Sequence, residues 1–393
     1  MVSVEMERQI MNNQTILEGK YTTAKIFADE IDSESLGRLQ TMVDMEQFKD
    51  CKIRVMPDIS PTKGSIVGLT IRHPRSIAFP GLLGTDLYCG IKVVQLDVGK
   101  RPPDLNKLDK VIRNNIPAGV GQIRQEPHRF ARHMDEFRGK ITAPLDFNKS
   151  LRSIGSLGGG NHFIELDKDH RGNFYLSVHS GSRNFGADIS RYWLDRAFRE
   201  EDNDDLPYYL SPLRDPESIK LYIHDLKAAE RFAENNVNAI INTICSEMKF
   251  KVKMQAYSLH NYPHYLVNGD CILRKGAVFS GTATAWSIIG LNMRDGLLLV
   301  KPKGEERDLI NEWNNSFPHG AGRLYSRADT LQRFTVNQFK KEMNGIFSTS
   351  INKDTLDECP MAYKSSDKII DYTEHLIRVC CRLKPVYNFK GGK

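Results

Sequence analysis

The stretch Gly155–Gly186, GSLGGGNHFIELDKDHRGNFYLSVHSGSRNFG, restricts the fold more than any other part of the chain. Two runs, Phe163–Leu166 and Phe174–Val178, are rich in aromatic and branched residues and flank the turn-forming DHRGN, so the segment reads as a β-hairpin. His162 and His179 lie equally far from its centre, between residues 170 and 171. A hairpin without a bulge sets them opposite one another at roughly 5 Å between Cα atoms, where two imidazoles can close on one metal ion. Either histidine alone reads as a polar residue satisfied at a strand end. Their symmetry and the glycine clusters at both strand ends favour the pair, and the backbone N–H groups of GGGN and SGSR suit phosphate oxygens.

Around this hairpin the chain alternates strand and helix patterns. Lys52–Pro57, Ser65–Arg72 and Gly90–Val98 are Val/Ile-rich and bounded by Pro, Gly and Asp, which predicts strands. Apolar residues recur at three- and four-residue steps from Tyr222 to Ile244, predicting a long amphipathic helix over about 215–247. Two further helices are expected near Thr330–Met343 and Asp367–Leu383. The fold class expected is α/β: a single compact domain over 1–393, with central β-sheets flanked by helices and a helix-rich subdomain at about 187–250.

The seven cysteines are odd in number and contain no CxxC pair, which fits reduced thiols better than a disulfide framework. No stretch approaches the length of a membrane span, and MVSVEMERQIMNNQ lacks the charged-then-apolar order of a secretory signal. A cytoplasmic protein without membrane attachment is expected. A formal net charge of +6 favours a polyanionic partner without requiring one. The most basic region, Lys100–Lys140, reads as a solvated face or as a phosphate-binding surface, and does not by itself select a function.

The remaining signals are short and separated. In GLLGTDLYCG, Asp86 and Cys89 stand three residues apart in a Gly-bounded turn; carboxylate and thiolate are both metal ligands, and a thiolate can bridge two ions. In SLHNYPH, His260 alone reads as an ordinary loop histidine. RKGA and LNMRDG each place a cation near a glycine. WNNSFPHGAGRLYSR sets His319 between Pro318 and a Gly320-Ala321-Gly322 turn with Arg323 behind, a stiff backbone with little bulk around the imidazole.

DxxCG, GGGNHFIE, HSGSR, HN, RKGA, PHGAGRxxSR and a terminal Lys-Gly, in this order from Asp86 to Gly392, resemble the RtcB family of RNA ligases. The resemblance implies joining of RNA ends bearing a 2′,3′-cyclic phosphate or 3′-phosphate to 5′-hydroxyl ends, with GTP and two Mn²⁺, through a histidine–GMP intermediate and an RNA(3′)pp(5′)G end. It implies His319 as the guanylylated residue, with Gly320, Ala321, Gly322 and Arg323 around it. Asp86, Cys89, His162, His179 and His260 become the implied ligands of a two-manganese site. Asn161, Phe163, Glu165 and Lys390 become nucleotide contacts, with Glu165 reading guanine, and Arg183 and Lys275 become RNA or phosphate contacts.

The expected partners are broken tRNA or rRNA and an archease-like activator, with a monomer expected. Departures occur at Ser60 and Thr62 in VMPDISPTKG and at Leu259 before His260, pointing to a divergent paralogue. Two other readings are a dimetal phosphodiesterase or phosphatase acting on RNA ends, and a non-catalytic RNA-binding paralogue. His319 and Glu165 count against the first, because hydrolysis needs neither a nucleotide-accepting histidine nor a guanine reader. The full set of ligand-type residues counts against the second.

Overall fold

A computed structural model describes residues 14–62, 65–201, 206–282, 284–304 and 306–392. Two large sheets organise it. The first has the order β1 (Thr15–Glu18), β2 (Thr23–Ile26), β3 (Lys52–Thr62), β4 (Ser65–Pro74), β10 (Asp270–Lys275), β9 (Asn261–Tyr265). All its pairs are antiparallel except β2 with β3.

The second sheet is antiparallel throughout: β12 (Ser287–Gly290), β13 (Leu297–Pro302), β15 (Ile377–Phe389), β6 (Phe163–Lys168), β7 (Phe174–Ser180), β5 (Gly90–Asp97), β8 (Lys251–Leu259). A short pair, β11 (Ala277–Phe279) with β14 (Ser316–Pro318), carries the chain towards His319.

The strands follow from their side chains. Ile164, Leu166, Leu176 and Val178 point to one face of the second sheet and pack with Val237, Ile240 and Ile244 of the helix Pro216–Met248. Period-two alternation on the strands thus meets period-3.6 spacing on the helix. That helix starts at Asp215, whose side chain accepts from Ser218 N with Pro216 in the first turn, and ends at Lys249 in the left-handed region. The larger core lies between the first sheet and the helices Ser33–Val43, Arg183–Glu200 and Pro216–Met248.

Two expected helices differ. Residues 327–342 form two short helices, because Thr335 begins a new capping box with Gln338. The helix expected over 367–383 stops at Thr373, and Ile377–Phe389 is instead β15 at the heart of the second sheet. Its β-branched and cysteine-rich IRVCC run fits a strand bonded to β13.

Candidate metal centre and nucleotide cleft

The hairpin forms with a three-residue loop, His170–Gly172, so its centre is not between residues 170 and 171. Asp169 N donates to Asn173 O, Gly172 takes φ +85°, and the Asp169 carboxylate accepts from Arg171 N and Asn173 N. The centre therefore falls on Arg171, and His179 pairs with Phe163 rather than with His162. His162 sits just outside β6, yet its ring centroid is 5.3 Å from that of His179.

The other ligand-type residues arrive at the same end of the second sheet. Cys89 immediately precedes β5, and His260 lies where the chain leaves β8 for β9 of the first sheet. His260 N donates to Cys89 O at 2.9 Å. Cys89 Sγ lies 3.3 Å from His162 Nε2 and 3.2 Å from His179 Nε2, His179 Nε2 lies 3.3 Å from His260 Nε2, and Asp86 Oδ2 lies 3.8 Å from His162 Nε2.

His179 Nδ1 is 3.1 Å from the Asn161 carbonyl oxygen, so Nδ1 carries the proton and the Nε2 lone pair faces Cys89 and His260. Burial drives His179 and His260 well below the usual imidazole range and so keeps both neutral. Burial and the Asp86 charge push the Cys89 thiol well up. Burial works against the Asp86 carboxylate, but His162 holds it well below its ordinary value. Buried lone pairs converging from Cys89, His162 and His179 form a donor set that fits a thiophilic or borderline divalent cation.

Lys275 is buried and Arg183 half-buried, and both are subject to the fields of Asp86 and Cys89. Lys275 Nζ donates to Leu83 O and Arg183 Nε to Ser156 Oγ. Gly158 (φ +94°) passes so close to Arg183 and His162 that an added Cβ would overlap both side chains.

Beside this cluster opens a cleft of about 740 Å³, within the range of small-molecule sites. Asn161, Phe163, Glu165, His179, His319, Gly320, Ala321, Gly322, Arg323 and Lys390 all line it. The structure thus gathers the proposed nucleotide contacts around one space, with His179 and His319 adjoining the metal-type cluster. The His319 ring centroid is 4.8 Å from that of His260. Gly322 takes φ +72°, and a Cβ there would strike the backbone of Asp58.

Two residues of the site escaped the sequence reading. Asp58 is fully buried, and its Oδ2 accepts from His319 Nδ1 at 2.5 Å and from the backbone N–H groups of His319 and Gly320 at 3.0 and 3.2 Å. A polar residue inside the apolar strand run VMPDIS was the available signal. Glu358, buried at the cleft wall, gathers Lys390, Arg327, Arg323 and the Tyr363 hydroxyl. Against the cost of burial, Lys390, Arg327 and Arg323 pull its carboxyl down to about 2.

Arg323 consequently points into a network with Glu358, Tyr363 and the Asp357 carbonyl while still bordering the cleft. Of the departures, Ser60 lines the cleft, Leu259 pairs with Gly90 next to Cys89, and the side chain of Thr62 lies outside the described residues.

Fold and site together define a mixed α/β protein with a buried thiol–imidazole metal-type centre opening onto a nucleotide-sized cleft. A family model described as "tRNA-splicing ligase RtcB" matches residues 39–391, and the chain belongs to that family. It is 27% identical to the RNA-splicing ligase RtcB of Escherichia coli K12, over 86% of this chain and 90% of that protein. It is 27% identical to an E. coli RNA-splicing ligase RtcB2, over 92% and 94%. With the tRNA-splicing ligase RtcB of Nanoarchaeum equitans it shares 24%, over 86% and 87%. Among the described residues no helix is long and apolar enough to cross a membrane.

Proposed function

We propose that the protein is an RNA ligase that joins 2′,3′-cyclic phosphate or 3′-phosphate ends to 5′-hydroxyl ends, using GTP and a pair of manganese ions. Family membership supports ligation, and one observation carries the chemistry: His319 stands between the metal-type cluster and the cleft with Nδ1 bound to the buried Asp58 carboxylate. That bond fixes the proton on Nδ1 and frees the Nε2 lone pair as a nucleophile. Nε2 attacks the α-phosphorus of GTP, an N–P bond forms, and the bond to pyrophosphate breaks. A 3′-phosphate oxygen of RNA then takes the guanylyl group as the N–P bond breaks. The 5′-hydroxyl attacks the activated RNA phosphorus, and GMP leaves. A cyclic end is first opened by water.

Asp86, Cys89, His162, His179 and His260 would hold the metal ions, which supply Lewis-acid polarisation of phosphoryl oxygens. Arg183 and Lys275 counter the charge of Asp86, Cys89 and an incoming phosphate. Asn161, Phe163 and Lys390 hold the nucleotide, and Glu165 accepts from guanine N1–H and the exocyclic amine, a pattern adenine does not offer. Broken tRNA or rRNA is the proposed substrate, in a cytoplasmic setting with an archease-like activator.

The test is a ligation assay with paired oligoribonucleotides, one ending in a 2′,3′-cyclic phosphate and the other in a 5′-hydroxyl, with GTP and Mn²⁺, and with and without such an activator. Joined product that depends on GTP is expected. Opening of the cyclic end with no joined product under all conditions would replace ligation with phosphodiesterase activity.

A further inference from the structure

Asp58 owes its place to an irregularity in β3. That strand pairs with β4 as far as Val55 with Leu69 and again from Ser60 with Val67, so residues 56–59 stand opposite Gly68 alone. A bulge re-aims a side chain, and this one brings Asp58 onto His319. It also takes the bulged backbone out of register with β4, so the position of Asp58 must be fixed from elsewhere. Gly68, at φ +84°, leaves the room: a Cβ there would come to 3.1 Å from Asp58 Oδ1. That oxygen has no hydrogen-bond partner among the described residues.

A buried lysine supplies the anchor. Lys364 is only 8% exposed, which is unusual for its type. Its Nζ donates at 2.9 Å to the carbonyl oxygen of Pro57, the residue before Asp58. Its backbone N donates to Gly322 O at 3.1 Å, and Leu324 N donates to Ala362 O at 2.8 Å. Residues 362–364 therefore run antiparallel to 322–324, with Arg323 bridged to Tyr363. The same short segment thus holds both the bulge that carries Asp58 and the turn that carries His319. It continues into Ser365, whose side chain caps the helix Ser366–Thr373. Electrostatics agree with the geometry: burial pushes the Lys364 ammonium down, and the Asp58 charge opposes it.

We propose that Lys364 is a positioning residue for guanylyl transfer: by holding the Pro57 carbonyl it fixes the bulge, keeps Asp58 Oδ2 on His319 Nδ1, and so aims Nε2 at the α-phosphorus without touching the nucleotide. This rests on the reading of His319 as the nucleophile. Tyr363 lines the cleft, whereas Lys364 lies behind it and reaches Pro57. Loss of the bond leaves a buried carbonyl unpaired and frees the bulge to shift. A misplacement of about 1 Å at a reacting centre can cost about 10²-fold in rate.

The experiment compares the full-length, Mn²⁺-loaded parent with Lys364→Met, Lys364→Gln and Lys364→Arg. Single-turnover labelling by [α-³²P]GTP over a range of GTP concentrations separates the maximal guanylylation rate from the half-saturating concentration. Lys364→Met and Lys364→Gln, which lack a donor of the right reach, should lose about 10–100-fold in maximal rate with the half-saturating concentration changed by less than about twofold. Lys364→Arg, which keeps a charged donor, should recover most of the rate. In ¹⁵N-histidine spectra of the metal-free proteins, the His319 ring, identified by its absence from His319→Ala, should carry its proton on Nδ1 in the parent and on a mixture of both nitrogens in Lys364→Met and Lys364→Gln.

Melting temperatures show which variants are folded, and Lys364→Gln serves if Lys364→Met is not. A parent-like rate and ring spectrum in the folded variants overturns the proposal. So does a fall in rate with weaker GTP binding and an unchanged His319 ring, which is what a packing role would give. Absence of label from the parent overturns His319 as the nucleophile instead, and the ring spectra then test the hold of Lys364 on Asp58 independently.

Discussion

The His319 imidazole donates from Nδ1 to Oδ2 of Asp58, a carboxylate with no solvent exposure that also takes the backbone N–H groups of His319 and Gly320. One carboxylate therefore sets both the tautomer of the ring and the path of the backbone that bears it. Asp58→Asn keeps an oxygen for the two backbone N–H groups and for Nδ1–H but removes the negative charge that supports the positive charge developing on the ring as Nε2 attacks. Single-turnover guanylylation is expected to fall by about 10²–10⁴-fold, with little change in thermal stability.

Cys89 supplies the sulfur of the converging donor set. Cobalt(II) titration of the intact chain should produce a near-ultraviolet thiolate charge-transfer band, with proton release as the site fills. Cys89→Ser should abolish the band and weaken metal binding at least about tenfold. An unchanged band would place the bound metal elsewhere.

Asn236, on the helix Pro216–Met248, ties together the two glycine-rich ends of the hairpin. Its Oδ1 accepts from Gly155 N and Ser156 N, and its Nδ2 donates to Ser180 Oγ and Gly181 O. Asn236→Ala leaves four buried polar groups short of a partner. A loss of about 2–4 kcal/mol in urea unfolding is expected, together with weaker cobalt binding although Asn236 touches none of the proposed ligands.

Glu358 gives a pH signature. Its carboxyl is held at about 2 by Lys390, Arg327 and Arg323 against the cost of burial. A depressed carboxylate contributes stability that is complete above its ordinary value near 4.5 and is lost as pH falls towards 2. Glu358→Gln, which leaves three cations without their anion, should be less stable than the parent at pH 6. The gap between their urea midpoints should narrow from pH 4.5 downward, and a constant gap would contradict the ion network.

The ligand-type residues were legible because they stand in short, glycine-bounded motifs whose chemistry is local. The hairpin itself was visible, but its register was not: one extra loop residue moves the centre onto Arg171 and His162 off the strand, and only the Asp169 bonds to Arg171 and Asn173 decide between the two. Residues 377–383 looked helical because their run carries no clean alternation; they pair with β13 on one side, and the strand passes to β6 on the other side only from Lys384 onward. Asp58 and Glu358 were missed for a different reason: His319 lies 261 positions from Asp58, and the cation Lys390 lies 32 positions from Glu358. A carboxylate's role there depends on long-range packing that no local pattern records. Cys89, His162, His179 and His260 were each ambiguous alone, and the fold gathers them by bringing β5, β6, β7 and β8 to one end of one sheet.

The central claim is that His319 accepts a guanylyl group, and its most direct test is to incubate the full chain with [α-³²P]GTP and Mn²⁺, then denature it. Label that survives denaturation, resists alkali and is released by acid is expected on the wild type and absent from His319→Ala. No label on metal-loaded wild-type protein with an archease-like activator supplied, or equal label on His319→Ala, would contradict it.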